Sequence, residues 1–326
     1  MLFIERSGTD PYFNLAAEEY FFRNYKEDDV IMLWRNMPSV IIGKHQNPYQ
    51  EINFSYVKEN NLPVIRRITG GGTVYHDPGN INFTFIRSLT APYTIDYDKF
   101  LQPVMTILNR LQIPCERSGK SDLTVHQRKI SGNSQHLFRN RVLHHGTLLY
   151  STDLQNLHHA LVNNSSRYTD KSIRSNPVPV ANISKFLVDP PSVETFQQRL
   201  AEEIIRSFSP ILRVPLRASD EKAIHALSAQ KYQTWEWNFG YSPSYQVKVE
   251  FTAQGNQIKA VIPVRNGIVQ KIHIFEPAPA TRWSELFKQM EGLKHEEQSI
   301  LQYLDAHPEL TSNLEMTHQD FVKALF

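Results

Sequence analysis

The chain has 326 residues, 40% of them hydrophobic, and its Lys plus Arg total of 35 nearly matches an Asp plus Glu total of 33 for a net charge of +2. That length suits two domains, or one large domain with an appendage, and the near-neutral balance argues against a protein whose main task is gripping nucleic acid. The single cysteine, Cys115, rules out an internal disulfide and clusters of the Cys-x-x-Cys type, and it fits a reducing compartment.

The start, Met1-Leu2-Phe3-Ile4-Glu5-Arg6, lacks the basic opening and long apolar core of a secretion signal. No apolar run approaches the roughly 20 residues that span a bilayer. A cytoplasmic protein without a membrane partner is the expectation. Asp10 caps and Pro11 opens a helix that continues through Leu15, Ala16, Glu19, Tyr20, Phe22 and Arg23 to about Tyr25. Val30–Trp34 and Val40–Ile42 read as buried strands, and 54–60 has helical spacing. Val64-Ile65 leads as a strand into the most informative stretch of the chain, residues 66–85.

That stretch sets Arg66-Arg67-Ile68-Thr69 before Gly70-Gly71-Gly72, then Thr73-Val74-Tyr75-His76-Asp77, then a strand from Ile81 to Ile86. Consecutive glycines reach backbone geometries closed to other residues and let main-chain N–H groups crowd an anion. Glycines alone fit an ordinary hairpin turn. Arg66, Arg67, His76 and Asp77 beside them shift the reading toward a phosphate or carboxylate site.

Residues 96–112 form a helix with Phe100, Val104, Ile107, Leu108 and Leu111 on one face. Residues 115–150 read as antiparallel strands, with a tight turn at His126-Gln127 and a further strand from Val142 to Tyr150. Residues 153–162 look helical. The polar stretch 163–185, with its prolines, reads as a long loop or flap, and 193–208 as an amphipathic helix. Thr234-Trp235-Glu236-Trp237-Asn238-Phe239-Gly240-Tyr241-Ser242-Pro243 marks a boundary, its Gly, Ser and Pro letting the chain turn away. Beyond it, 245–252, 257–264 and 268–275 alternate as a small sheet, and helices follow at about 282–292, 295–305 and 318–325. The class is α+β, with a catalytic domain at 1–243 and a small C-terminal domain at 244–326.

Other residues with chemistry divide as follows. Gly119-Lys120-Ser121 imitates the end of a P-loop, but the first glycine of that motif would fall at Pro114, so the P-loop reading fails. Lys129, between the tight turn and Ser131-Gly132, can point into a cleft, but most lysines are solvated and spacing alone does not overturn the reading of an ordinary solvated strand lysine. Asp122 and Asp77 are rival Mg²⁺ ligands, although an Asp at a strand start is commonly a turn or cap residue. His76, His144 and His145 lack the spacing of a zinc site and read as core or ligand-lining groups. Cys115 has no base near it in sequence and reads as a small buried filler.

Residues 66–77 strongly resemble the signature loop of lipoate–protein ligases. Gly43-Lys44-His45-Gln46-Asn47, Ser118-Gly119-Lys120-Ser121-Asp122-Leu123, Arg128-Lys129-Ile130-Ser131-Gly132, His144-His145-Gly146-Thr147-Leu148-Leu149, Ser172-Ile173-Arg174-Ser175 and Thr234-Trp235-Glu236-Trp237-Asn238 are similar to further segments of that family, in family order. The resemblance covers about residues 1–245; the remainder is similar to the family's accessory domain.

The resemblance implies a biotin/lipoate-ligase-like domain with a central mixed or antiparallel sheet and flanking helices. It implies that lipoate and MgATP give lipoyl-adenylate and pyrophosphate, and that a lysine of an acceptor then takes the acyl group. Lys129 matches the family's catalytic lysine, placed to touch the lipoate carboxyl and the α-phosphate. Arg67, Gly72, Thr73, Val74, Tyr75 and Lys129 match ATP-binding positions. Arg67, Gly71, His76, Lys129 and His145 match lipoate-binding positions, and Asp122 matches a Mg²⁺ position. ATP and Mg²⁺ are the implied substrate and activator, with no tightly bound cofactor. The implied partners are apo lipoyl domains of 2-oxoacid dehydrogenase E2 subunits or the glycine-cleavage H protein, lipoate or octanoate as small molecule, and no nucleic acid; a monomer is the simplest expectation. Ser121 departs from the Asn common in the family. Rival readings are a transferase using premade lipoyl-adenylate, an octanoyl or lipoyl acyltransferase working through a cysteine thioester, a biotin ligase, and a non-catalytic binding module. Two expectations about motion accompany the main reading: a swing about Gly240-Tyr241-Ser242-Pro243, and a flap near 163–185 that closes over the adenylate.

Overall fold

A computed structural model describes residues 1–6, 8–91, 93–161, 165–253, 255–276, 282–311 and 316–326. The chain divides into two compact units. The first comprises Met1–Lys44, Val57–Leu161 and Ser175–Thr234; the second comprises His45–Tyr56, Val162–Arg174 and Trp235–Phe326.

The first unit is built on an eight-stranded mixed sheet. Its order is Leu212–Pro215, Leu2–Glu5, Val30–Trp34, Asn80–Ser88, Arg141–Leu149, Arg128–Phe138, Asp122–Val125 and Glu116–Ser118. Leu2–Glu5 pairs in parallel with both of its neighbours, and the remaining pairings are antiparallel. A second, three-stranded sheet sets Ser39–Ile42 between Val64–Arg66 and Val74–His76. The helix Pro11–Asn24 starts as the Asp-Pro pair requires: the Asp10 carboxylate accepts from the Tyr12 and Phe13 N–H groups, satisfying donors that the first turn cannot.

Helices Asp98–Arg110 and Val193–Ser207 bury Phe100, Leu101, Leu108, Phe196 and Leu200 in one core with Phe83, Phe85 and Leu123 from the sheet. The apolar spacing along 96–112 thus does what its period requires, placing one stripe against the sheet. Cys115 is buried in this core. Leu2–Glu5 and Leu212–Pro215 were not anticipated: each is short, and they come together from opposite ends of the first unit.

The second unit holds the antiparallel ribbon Tyr245–Ala253 and Asn256–Arg265, extended by Tyr168–Asp170, Ile268–Val269 and His273–Glu276. Tyr245–Ala253 alternates buried and exposed residues along Tyr245–Glu250, the period-two pattern of a sheet with one covered face. Helices Arg282–Gln289, Glu297–Ala306 and His318–Leu325 supply Phe287, Ile300, Leu304, Phe321 and Leu325 to its core. Among the described residues no helix is long and apolar enough to cross a membrane.

Three expectations need correction. The stretch 163–185 is not one loose loop: Tyr168–Asp170 pairs with Tyr245–Val247, Ile183–Phe186 is a 3₁₀ turn, and Tyr168 and Ile183 are buried; residues 163 and 164 lie outside the described residues. The segment 234–243 is not irregular throughout: the chain passes from one unit to the other at Thr234 and Trp235, but Glu236–Gly240 is π-helical and Gly240 is buried against Trp235. The strand anticipated at 268–275 breaks in two, Ile268–Val269 and His273–Glu276. The helix anticipated at 153–162 spans Leu154–Leu161, and residue 162 lies outside the described residues.

Candidate active site

The glycine loop is held by arginine. Arg67 is buried, and its guanidinium donates through Nε to Thr69 Oγ1 (2.9 Å), through Nη1 to the Ile41 carbonyl (3.1 Å), and through Nη2 to the carbonyls of Gly70 (2.6 Å) and Gly72 (2.7 Å). A planar fork of donors can serve several carbonyls in this way, which a lysine cannot. Burial pulls the Arg67 guanidinium down to about 10, opposed by the Glu18 and Tyr97 charges, so it stays cationic at neutral pH. Arg66 Nη1 donates to the Gly43 and Lys44 carbonyls at 3.1 Å each. The Gly71 φ of +85° is the left-handed geometry that side chains disfavour. A Cβ on Gly72 would lie 3.0 Å from Ser175 Oγ, the same hydroxyl that accepts from the Thr73 N–H at 2.8 Å.

Lys129 sits on the strand Arg128–Phe138, just after a hairpin turn whose His126 and Gln127 have φ of 48° and 61°. Its backbone is gripped on one side by residues 179–181: the Lys129 N–H donates to the Pro179 carbonyl at 2.9 Å, and the Ala181 N–H donates to the Lys129 carbonyl at 2.9 Å. A bulge opposite Leu123 and Thr124 shifts the register, so that Thr124 faces Lys129 while Asp122 faces Gly132. Without it, residues 129 and 132 would point to opposite faces of the pleat. With it, the Lys129 ammonium reaches across Gly132, where a Cβ would lie 2.9 Å from Cε and 3.0 Å from Nζ. Lys129 Nζ ends 3.0 Å from Asp122 Oδ2, with both side chains about a quarter exposed (25% and 27%).

The next residues of that strand tie Lys129 to the loop. Asn133 Nδ2 donates to the Ser121 carbonyl (2.8 Å), and Ser134 Oγ donates to the Gly70 carbonyl (2.9 Å). Behind the loop runs a buried polar chain. The Glu18 carboxylate accepts from His145 Nδ1 (2.9 Å) and from the Thr84 hydroxyl (2.6 Å), and His145 Nε2 lies 2.8 Å from Thr69 Oγ1. A carboxylate only accepts, so His145 directs an Nδ1 proton at Glu18, while Thr69 Oγ1 meets His145 Nε2 on one side and accepts from Arg67 Nε on the other. A fixed cation, a glycine-rich loop backbone and a quarter-exposed ammonium together make a surface on which negative charge at a phosphate or carboxylate is stabilised.

Residues 10–205 match the family model described as the lipoyl protein ligase A/B catalytic domain. The chain belongs to this family. The lipoate-protein ligase LplJ of Bacillus subtilis is 38% identical over 280 residues, covering 84% of each chain. A chain from the structural analysis of an archaeal lipoylation system, a bi-partite lipoate protein ligase and its E2 lipoyl domain from Thermoplasma acidophilum, has a TM-score of 0.63 and 25% identity, covering 74% of this chain and 96% of its own. A lipoate-protein ligase A bound with ATP has a TM-score of 0.61 and 26% identity, covering 74% of this chain and 98% of its own.

In this family member the residues singled out in the sequence occupy different environments. Lys129 meets Asp122 in the first unit and lies on the strand whose Ser134 holds the Gly70 carbonyl at the head of Gly71, Gly72 and Thr73. His145 lies in the polar chain behind them. His76 is buried and pulled down to about 3, by burial first and then by the Arg67 and His145 charges. It is therefore neutral, takes the Asn36 amide at Nδ1 (3.0 Å), and leaves Nε2 buried with no protein partner among the described residues. Tyr75 is buried and Val74 half-buried, in a strand paired with Ser39–Ile42. Asp77 caps the turn that follows, accepting from the Gly79 and Asp153 N–H groups at 2.9 and 2.7 Å. His144 stacks on Phe100 with centroids 4.9 Å apart and is a core group.

Glu18, Asn36 and Ser175 were missed. From distant parts of the chain Ser175 meets Thr73, Asn36 meets His76 and Glu18 meets His145, and Glu18 lies in a helix most of whose residues are buried.

Proposed function

We propose that this chain couples lipoate to ATP as lipoyl-adenylate and then transfers the lipoyl group to a lysine of a lipoyl domain. The observation that carries the reading is the Lys129 ammonium, held over Gly132 and facing Asp122, beside a glycine loop braced by Arg67. In the first step a carboxylate oxygen of lipoate attacks the α-phosphorus of ATP, and the bond to the β-phosphate breaks, releasing pyrophosphate. Lys129 supplies a compact cation to the carboxyl and α-phosphate oxygens as charge builds there. Gly72, Thr73, Val74 and Tyr75 are assigned to nucleotide contacts through their backbone, with Arg67 acting by keeping the loop in shape. Gly71, His76 and His145 are assigned to the lipoate side, where the buried orphan nitrogen of His76 offers a donor.

In the second step the acceptor amine attacks the acyl carbon and AMP leaves. A nearby Lys129 cation lowers the affinity of that amine for its proton. The only cysteine is buried, and burial pushes its thiol up to about 11, which makes it a poor nucleophile for a thioester route.

Mg²⁺ fits here only as a shared site. Asp122 offers one carboxylate, and among the described residues no cluster of His, Cys, Asp and Glu encloses a metal ion. One carboxylate plus nucleotide phosphate oxygens and water is an ordinary Mg²⁺ environment, and the ion would neutralise phosphate charge. We assign residues 1–243 to catalysis and 244–326 to an accessory role. The acceptors are assigned as apo lipoyl domains of E2 subunits or the H protein, with the enzyme a cytoplasmic monomer. The deciding experiment is mass spectrometry of an apo lipoyl domain incubated with the protein, lipoate and MgATP. Addition of one lipoyl group that needs both small molecules supports the reading; an unmodified domain overturns it.

A further inference from the structure

The cations of the signature loop are already committed. Arg67 spends Nε, Nη1 and Nη2 on Thr69, Ile41, Gly70 and Gly72, and Arg66 Nη1 is bound to the Gly43 and Lys44 carbonyls. Lys129 is placed for the reacting carboxyl and α-phosphate. The outer phosphates of a nucleotide, which leave as pyrophosphate, carry more charge than these groups meet.

A further cation is presented by the hairpin tip Ser118–Ser121. Arg117 stiffens this tip, donating to the Gly119 carbonyl at 3.1 Å and the Lys120 carbonyl at 3.2 Å while paired with Asp98. Lys120 is exposed, with Nζ 5.4 Å from the centroid of the Tyr97 ring and no carboxylate partner among the described residues. Tyr97 adjoins the loop: its phenol is pushed up by burial, opposed by its polar contacts with Gln135 and Ser134 and by the Arg67 charge. From Lys120 the chain runs through Ser121, whose carbonyl holds Asn133, straight to Asp122 and its contact with Lys129. Lys120 therefore stands at the rim of the same surface, as an ammonium whose described neighbour is an aromatic face, a weak contact at an exposed site that is readily exchanged for a phosphate.

We propose that Lys120 binds the β- and γ-phosphates of ATP and stabilises the departing pyrophosphate, serving activation and not transfer. This rests on the ligase reading above. When the carboxylate oxygen bonds to the α-phosphorus, the bridging oxygen to the β-phosphate takes the electron pair, and Lys120 meets that new charge. Lipoyl-adenylate has lost both outer phosphates, so Lys120 has nothing to hold in the second step.

The test compares wild type, Lys120→Ala and Lys120→Arg in two assays: pyrophosphate release from lipoate and MgATP, and acyl transfer from synthetic lipoyl-adenylate to an apo lipoyl domain. For Lys120→Ala, kcat/KM for ATP is expected to fall about 10-fold or more, the effect of losing a hydrogen bond to a charged group. Transfer is expected to stay within about 2-fold, and Lys120→Arg to recover most of the first assay. Unchanged pyrophosphate release in Lys120→Ala, or equal losses in both assays, overturns the assignment alone. Wild-type protein that fails in both assays overturns the ligase reading and this assignment with it.

Discussion

Lys129 Nζ and Asp122 Oδ2 stand 3.0 Å apart over a residue that has no side chain to separate them. Gly132 leaves the space in which the ammonium lies, since a Cβ there would fall 2.9 Å from Lys129 Cε. Gly132→Ala is therefore expected to displace the ammonium while leaving the strand paired. Loss of one aimed charge typically costs about 10²–10³-fold, and we expect pyrophosphate release to fall by that order with the melting temperature moved only slightly. Release at the wild-type rate would show that the position of Lys129 is not what the reaction uses.

The same pair separates function from stability in a second way. Both side chains are about a quarter exposed (25% and 27%), and ion pairs in such settings contribute about 0–1 kcal/mol. Asp122→Asn should leave denaturant unfolding within about 1 kcal/mol of wild type. It should also weaken activation and its dependence on Mg²⁺ concentration, because one carboxylate is removed from the nucleotide side. An Asp122→Asn protein with an unchanged Mg²⁺ titration would remove Asp122 from the metal assignment.

Local signals in the sequence were legible where one segment carries them entire. Asp10-Pro11 specifies a helix start, His126-Gln127 a two-residue turn, and the stripe Phe100, Val104, Ile107 and Leu108 a buried helical face. The motif order brought Lys129, Asp122 and the glycines to one list, but not the bulge that points Lys129 and Gly132 to the same side. The role of Arg67 was legible as a charge and not as a brace, because its acceptors are carbonyls, which every residue carries alike. Tyr168–Asp170 is too short to show a period, and its partner strand lies at Tyr245–Val247. Ser175 reaches the loop and Glu18 reaches His145 through tertiary contact alone, which no window of sequence displays.

Arg67→Lys tests the brace. One ammonium cannot reach the Ile41, Gly70 and Gly72 carbonyls and Thr69 together, and each buried polar group left unpaired costs about 1–3 kcal/mol. The variant is expected to unfold at lower denaturant and to lose activation, despite keeping its charge. Wild-type stability with lost activity would instead make Arg67 a direct ligand contact.

Acid stability should report Glu19. Burial pushes its carboxyl up, but hydrogen bonds from Lys231 and Tyr232 and the charges of Lys231 and Arg23 more than offset this, so its pKa lies below the ordinary 4.5. Lys231 Nζ and the Tyr232 hydroxyl each approach Glu19 Oε2 to 2.6 Å, and Arg23 Nη2 approaches Oε1 to 2.6 Å. Burial also lowers Lys231, despite Glu19, so the favourable share of the pair rests with the carboxylate. A depressed carboxyl pKa gives stability that is fully present above the unfolded value and is lost as pH falls through the folded value. Wild-type unfolding free energy should therefore drop as pH falls below about 4.5, the ordinary carboxyl value. Glu19→Gln should remove that part of the acid dependence and cost about 3 kcal/mol at neutral pH, the lower end for breaking a buried pair and leaving its partners uncompensated. Denaturant titrations of both proteins between neutral and acid pH check this, and parallel stability curves for the two would show that Glu19 titrates alike in the folded and unfolded chain.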